Sequence, residues 1–177
     1  LRIKAGYSRT VQYMQVISNS TSPFTTLDVW IPAGPNVEPM RADQISCGVQ
    51  YFLNPLNLEF SSEFYYKKMK GQIDFGDHPN LLYNPLIEGE IRKGTAKAWG
   101  FETMIRRTRG QITGWMGYSF SKVTKSISEV NNDLAFPASY DRPHNFVCNL
   151  SFAHRNWTFA ADWIYMTGAA VTTPVGF

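Results

Sequence analysis

The sequence predicts an all-β chain that forms part of an antiparallel up-and-down transmembrane β-barrel, with about seven strands, long extracellular loops and short periplasmic turns. Three observations predict this fold. Apolar and polar residues alternate with a period of two in segment after segment. These segments are about as long as the 9–11 residues that cross a bilayer as a tilted strand. The connections between them alternate strictly between long and short.

The apolar side chains of the first three predicted strands lie at alternate positions. In chain order they are Leu1–Arg9, with Leu1, Ile3, Ala5 and Tyr7; Gln44–Leu53, with Ile45, Cys47, Val49, Tyr51 and Leu53; and Leu56–Lys67, with Leu56, Leu58, Phe60, Phe64 and Tyr66. Successive side chains of a strand point to opposite faces, so each strand has one apolar and one mostly polar face.

The last four predicted strands follow the same rule, and no segment shows a helical period. They are Ala96–Arg106, with Trp99, Phe101 and Ile105; Gln111–Ser121, with Ile112, Gly114, Met116, Tyr118 and Phe120; Phe146–Ala153, with Phe146, Cys148, Leu150 and Phe152; and Trp157–Met166, with Trp157, Phe159, Ala161, Trp163 and Tyr165. We expect the apolar faces to contact lipid. The charged side chains of the polar faces then point to the lumen: Glu59, Glu63, Lys67, Glu102 and Asp162.

The lengths of the connections favour a membrane barrel over a soluble β-sandwich. Long ones run from about residue 10 to 42, from 74 to 95, from 123 to 144 and from Thr167 onward. Short ones are Asn54–Pro55, Arg107–Gly110 and His154–Asn156. Outer-membrane barrels have short periplasmic turns and long extracellular loops, whereas a sandwich has no reason to sort its loops in this way.

A sheet that crosses a membrane has to close, because hydrocarbon offers its backbone no hydrogen-bond partners. An odd number of strands leaves two bare edges. The chain opens at Leu1 inside a strand-like pattern and stops at Phe177 after a Gly/Thr/Pro run. We therefore expect the missing strands to lie before and after it, and we do not expect this chain alone to form a pore.

Composition excludes some functions. Charged residues make up 18% of the chain, the net charge is +3, and no Lys/Arg run forms a stripe, which argues against nucleic-acid binding. Cys47 and Cys148 lie on apolar faces and are interpreted as small apolar residues, with their disulfide state left open. Aromatic side chains near strand ends suit the lipid–water boundary. They are Tyr65, Tyr66, Trp99, Trp157, Trp163 and Tyr165.

Several motifs occur in order along nearly the whole chain. They are Tyr7-Ser8-Arg9-Thr10 with Gln12-Tyr13, Ser18-Asn19-Ser20, Asp28-Val29-Trp30-Ile31-Pro32, Phe64-Tyr65-Tyr66-Lys67-Lys68-Met69-Lys70, Gly100-Phe101-Glu102, Gly114-Trp115-Met116-Gly117-Tyr118-Ser119-Phe120-Ser121 and Tyr140-Asp141-Arg142-Pro143-His144. In these motifs the chain resembles the barrel domain of TonB-dependent receptors, in particular the branch that carries a carboxypeptidase-regulatory-like domain.

The resemblance implies a 22-stranded barrel around a separate N-terminal plug, of which residues 1–177 would be a part. It also implies TonB-energised uptake of a scarce nutrient: an iron chelate, cobalamin, a glycan or a peptide. The expected partners are outer-membrane lipid, the remaining strands, the receptor's own plug, the nutrient, and the TonB complex through segments outside this chain. The resemblance implies that the protein lies in the bacterial outer membrane. We expect it to need no cofactor.

Candidate ligand contacts lie in the long loops, because loops commonly carry function. They are Asp28 and Trp30, then Asp77, His78 and Asn80, and finally Asp141 and Arg142. For Asp141 and Arg142 we favour a structural role, in which they pair with each other or with a neighbouring strand and set the return of the loop. No catalytic set is visible, so we do not expect an enzyme, and His78, His144 and His154 show no metal-ligand spacing.

Two alternatives stay open. One is a non-transporting outer-membrane protein, such as an adhesin or a passive porin. The other is a soluble secreted β-sandwich that binds sugar or protein, which predicts two packed sheets around a sealed apolar interior.

Overall fold

A computed structural model describes residues 1–18, 28–76, 79 and 84–170. Over these ranges the chain is mainly antiparallel β-structure, and its helical elements are the short 3-10 turns Asn54–Leu56, Ile87–Glu90 and Asn131–Asp133. The described residues contain no helix with the length and apolar character needed to cross a bilayer. The predicted all-β fold is confirmed.

The strands are β1 (Arg2–Gln12), β2 (Met14–Ser18), β3 (Asp28–Pro32), β4 (Met40–Leu53), β5 (Leu58–Phe75), β6 (Ile91–Arg107), β7 (Ile112–Ile127), β8 (Phe136–Pro137), β9 (His144–His154) and β10 (Trp157–Met166). Across the described residues, one eight-stranded sheet has the order β1-β4-β5-β6-β7-β9-β10, with β8 beside β7. Strands β2 and β3 form a separate two-stranded hairpin. The up-and-down order contradicts the β-sandwich alternative, which needs two large sheets packed face to face.

Seven long strands of the described residues carry the sheet, as predicted, but most extend further than the alternation indicated. β5 has 18 residues and β6 has 17, well beyond the length needed to cross a bilayer. The additional residues lie mainly at the ends next to the long loops, for example Lys68–Phe75 in β5. The period of two fades there, because a strand that rises above the membrane no longer has one face in lipid.

A β-bulge explains why counting by twos fails in upper β5. Lys70 pairs with Thr95 and Gln72 pairs with Gly94, so Gly71 is an extra residue on this strand. Its φ of +70° is a backbone conformation that glycine adopts without strain. Before the bulge, the even-numbered residues of β5 share one face of the sheet. After the bulge this order is reversed, so Asp74 lies on the opposite face.

The alternation of short and long connections is confirmed, with corrected limits. The short turns cover residues 54–57, 108–111 and 155–156. Strand β5 begins at Leu58 rather than at Leu56, because Leu56 belongs to the 3-10 turn after β4. The first long connection contains the β2–β3 hairpin, and the third contains β8.

The described residues have no single central core. One buried cluster packs the hairpin against the long-loop ends of β5 and β6, and it contains Ile17, Ile31, Val37, Ile73, Phe75 and Ile91. A second, smaller cluster contains Ala42, Met69, Ala96 and Ala98. Most large apolar side chains of the sheet are exposed instead, which is the opposite of a soluble fold.

Candidate functional site

The concave face of the sheet carries the polar side chains. Residues paired across antiparallel strands point to the same face, so the register defines each row. One row runs through Lys4, Gly48, Glu63, Glu102 and Ser119 to Asn145. These residues line a groove of about 580 Å³ that extends from β1 to β9. A groove lined by six strands shows that the sheet curves around this face, as the wall of a barrel does.

The middle of the groove has unbalanced polar groups. Glu63 and Glu102 lie directly opposite each other on β5 and β6. Neither carboxylate forms an ion pair with a cation of the described residues. Nearby, the side-chain oxygen Oδ1 of Asn145 is buried without a hydrogen-bond partner. Two like charges and an unsatisfied acceptor on one surface are destabilising unless a partner covers them.

Near the short turns, polar side chains of the concave face are paired with each other. Arg106 Nη2 lies 2.5 Å from Glu59 Oε2 across β5 and β6, and the Gln50 amide donates to the other carboxylate oxygen of Glu59. Asn149 donates to Asp162 Oδ1 at 2.5 Å across β9 and β10. Sequence alternation predicted the inward direction of Glu59 and Asp162. It could not predict their partners, because the partners depend on strand register.

The convex face is apolar over the middle of the strands. One row contains Ala5, Cys47, Phe64, Phe101 and Phe120. Phe101 and Phe120 stack with ring centroids 5.9 Å apart, yet Phe101 remains 38% exposed. The predicted division into apolar and polar faces is therefore present, with the apolar side chains pointing out of the sheet.

Aromatic rings border this apolar band on both sides. Toward the long loops, Tyr7, Tyr66 and Trp99 share one convex row, and toward the short turns Trp157 lies on the last strand. Trp163 is 67% exposed on the same convex face. Such rings are typical of the boundary between lipid and water. Tyr65 was expected among them, but it lies on the concave face opposite Gly100.

Gly100 makes room for the Tyr65 ring. A Cβ atom at Gly100 would lie 2.9 Å from the Tyr65 hydroxyl oxygen and would also meet the carbonyl oxygen of Phe120. A glycine opposite an aromatic residue is a known way to fill the space on a strongly curved sheet. This pair therefore belongs to the concave face of the sheet and not to the aromatic border of the convex face.

Asp141 fixes the connection between β7 and β9. It is only 6% exposed, and its Oδ1 accepts a hydrogen bond of 3.0 Å from the backbone N–H of Val123 on β7. Its own N–H donates to the carbonyl of Ala138 at 2.9 Å. Arg142 does not pair with it; the Arg142 side chain is exposed, 3.9 Å from the sulfur of Met166. The hydrogen bond from β7 to Asp141 is a contact with a neighbouring strand, which is the structural role that the sequence analysis favours for this residue.

Asp28 and Trp30 are separated from Asp141 in the sheet. Asp28 begins β3 opposite Ser18, and Trp30 pairs with Val16 and is 65% exposed. Asp77, His78 and Asn80 lie outside the described residues. The β2–β3 hairpin lies in the connection between β1 and β4, and Asp141 lies in the connection between β7 and β9. Strands β5 and β6 separate these two connections in the sheet. Ligand contact by these residues stays a prediction.

Sequence reasoning missed a contact above the groove. Lys125 Nζ lies 3.0 Å from Asp74 Oδ2 and 6.0 Å from the ring centre of Tyr140. Partial burial, and then the carboxylates of Asp141 and Asp74, raise the pKa of the Tyr140 hydroxyl. The bulge at Gly71 brings Asp74 to the concave face, where it meets Lys125. The sequence feature that indicates this contact is the single glycine between Lys70 and Gln72.

The described residues contain no cluster of three metal-ligating side chains. Comparison with known proteins gives one family: the family model "TonB dependent receptor-like, beta-barrel" matches residues 1–175. No curated protein and no solved structure matches the chain. The matched range includes every strand of the curved sheet and its two chemically different faces. The chain belongs to the family of TonB-dependent receptor β-barrels.

Proposed function

We propose that this chain is part of the barrel of an outer-membrane receptor that imports a scarce nutrient with energy from the TonB complex. Its family consists of outer-membrane transport receptors. The observation that carries the proposal is the division of the sheet into a polar concave face and an apolar convex face bordered by aromatic rings. A polar lumen can admit a hydrophilic solute, and an apolar exterior suits lipid.

Uptake measurements test this function. The intact receptor would be expressed in a strain without its own receptors, and cells would be offered a labelled iron chelate, cobalamin, an oligosaccharide or a peptide. We expect one class to accumulate, and we expect accumulation to stop when TonB is deleted. Uptake that continues without TonB would favour the passive porin, and no uptake of any class would favour the adhesin. Either result contradicts the proposal.

We further propose that the groove receives the receptor's plug domain. Glu63 and Glu102 present two adjacent carboxylates without a cationic partner in the described residues, so a basic side chain of the plug would neutralise them. The buried acceptor of Asn145 would gain a donor in the same contact. Charged groups at such an interface select the partner by electrostatic complementarity.

The variant Glu102→Lys tests the plug contact. We expect the plug to loosen, because a cation would replace one of the two carboxylates that attract it, and this would appear as increased conductance in planar bilayers. Glu38→Lys is the matched control, since Glu38 is exposed outside the groove. Equal conductance of the two variants would contradict the contact.

A further inference from the structure

Basic side chains gather on the convex face at and just beyond the aromatic row of Tyr7, Tyr66 and Trp99. The outer basic patch, as we define it, consists of Arg9, Arg41, Lys68, Lys70, Lys97 and Lys122. The register places Lys68 opposite Lys97, and Arg41 opposite Lys70. Five strands contribute to the patch. Lys68 and Lys70 are close in the sequence, but the other four members are far apart along the chain, so the pairing of the strands is what brings the patch together.

The charge of the patch is not balanced by the protein. Asp43 is the one carboxylate on the convex face of the described long strands, and it is already engaged: Arg9 Nε and the Tyr7 hydroxyl each donate to its Oδ1 at 2.6 Å. Among the described residues, the other cations of the patch form no ion pair. All of them are exposed. Like charges directly opposite each other destabilise a sheet, so an anionic partner would stabilise this one.

The height of the patch matches the headgroup layer of a membrane. Arg9, Lys68 and Lys97 lie two residues from the aromatic row along their strands, on the side of the long loops. Two residues rise about 7 Å along a strand, or about 5 Å along the membrane normal at a tilt of about 40°. Each headgroup layer is about 5–8 Å thick. The long loops follow at the same ends of the strands, so this layer belongs to the outer leaflet.

We infer that the outer basic patch binds the phosphate groups of outer-leaflet lipids. Lysine ammonium groups bind phosphate as point charges, and basic clusters next to a membrane attract anionic lipids. The hydroxyls of Thr95 and Thr124 lie in the same convex rows and can donate to phosphate oxygens. The acyl chains of the same lipid would cover the Phe64 and Phe101 rings below. The inference rests on the proposed membrane placement and extends it to a specific lipid chemistry.

Lipid titration of the intact receptor tests this inference without any transport measurement. The purified receptor in nonionic detergent would be titrated with diphosphorylated lipid A and with the same lipid after phosphatase treatment, and bound lipid would be counted by native mass spectrometry. We expect tighter binding of the phosphorylated form to the unmodified receptor. Equal binding of the two forms would overturn the inference, whether or not the receptor imports a nutrient.

Paired variants then locate the site. Lys68→Gln with Lys97→Gln removes two cations from the patch and is expected to weaken binding of the phosphorylated lipid by about 30-fold, from about 1 kcal/mol for each lysine near an anionic surface. Lys4→Gln with Lys67→Gln removes two lysines from the concave face and should leave binding unchanged. Wild-type affinity of the first variant, or equal loss in both, would overturn the assignment.

Discussion

At the scale of single residues, neighbours in the sequence meet different surroundings. Phe101 on β6 points out of the sheet beside Phe64 and Phe120, while Glu102 points into the groove opposite Glu63. Alternation in the sequence was enough to predict these directions. It was not enough to predict that Glu59 would find Arg106, because contacts across strands depend on a register that one strand alone does not contain.

The same pair of residues gives the first prediction. Phe101→Arg places a cation on the convex face in the apolar band, at a cost of about 2–4 kcal/mol near the middle of a membrane. We expect this variant to fail in barrel assembly. Glu102→Gln keeps the size and polarity of an inward side chain and should assemble normally. Cell-surface levels measured with an antibody check both, and equal levels would contradict the assignment of the two faces.

At the scale of elements, the sequence predicts the existence of the long strands better than their ends. Alternation persists only where one face is apolar, so it does not predict the last part of β5, Lys68–Phe75, or the first residues of β6, Ile91–Thr95, as strand. Alternation also does not predict the hairpin of β2 and β3. Ile17 and Ile31 of this hairpin are buried in a small local cluster against the sheet and do not belong to its long apolar face. The bulge at Gly71 then reverses which residues face inward, and no periodic count detects such a shift.

The connection between β7 and β9 gives the second prediction. Asp141→Ala removes the acceptor of the Val123 N–H and leaves this half-buried donor unpaired, at a local cost of about 1 kcal/mol. We expect residues 128–143 to become more susceptible to protease while the barrel stays folded. Asp141→Asn keeps an acceptor oxygen and should behave like the wild type. Equal cleavage of the Ala variant and the wild type would show that Asp141 does not hold the connection.

At the scale of the whole molecule, the sheet is organised from the membrane inward. It buries few large side chains, exposes an apolar band on its convex face, and keeps most strand carboxylates on the concave face. Composition and alternation predicted that apolar side chains would lie on the outer face and polar side chains on the inner face, the reverse of a soluble fold. The outer basic patch as a whole could not be predicted, since Lys68 and Lys70 share one strand while its other members, from Arg9 to Lys122, join them through the pairing of five strands. Strands β1 and β10 are the outer members of the described sheet.

Thiol labelling tests the membrane placement most directly. Cys47 lies in the apolar convex row and is exposed in the structure, so protein packing cannot shield it from a small reagent. Gly34 lies in the first long connection, and a Cβ atom added there would have no atom within 4 Å beyond its chain neighbours. Gly34→Cys therefore provides a matched thiol outside the membrane.

The measurement is the reaction of each thiol with a charged, membrane-impermeant maleimide in intact cells, compared with the same receptor unfolded in detergent. If acyl chains cover the convex face, they shield Cys47 from the charged reagent. We therefore expect the Gly34→Cys thiol to react in intact cells and Cys47 to react only after unfolding. Labelling of Cys47 in intact cells as fast as the Gly34→Cys thiol would place the convex face in water and contradict the account.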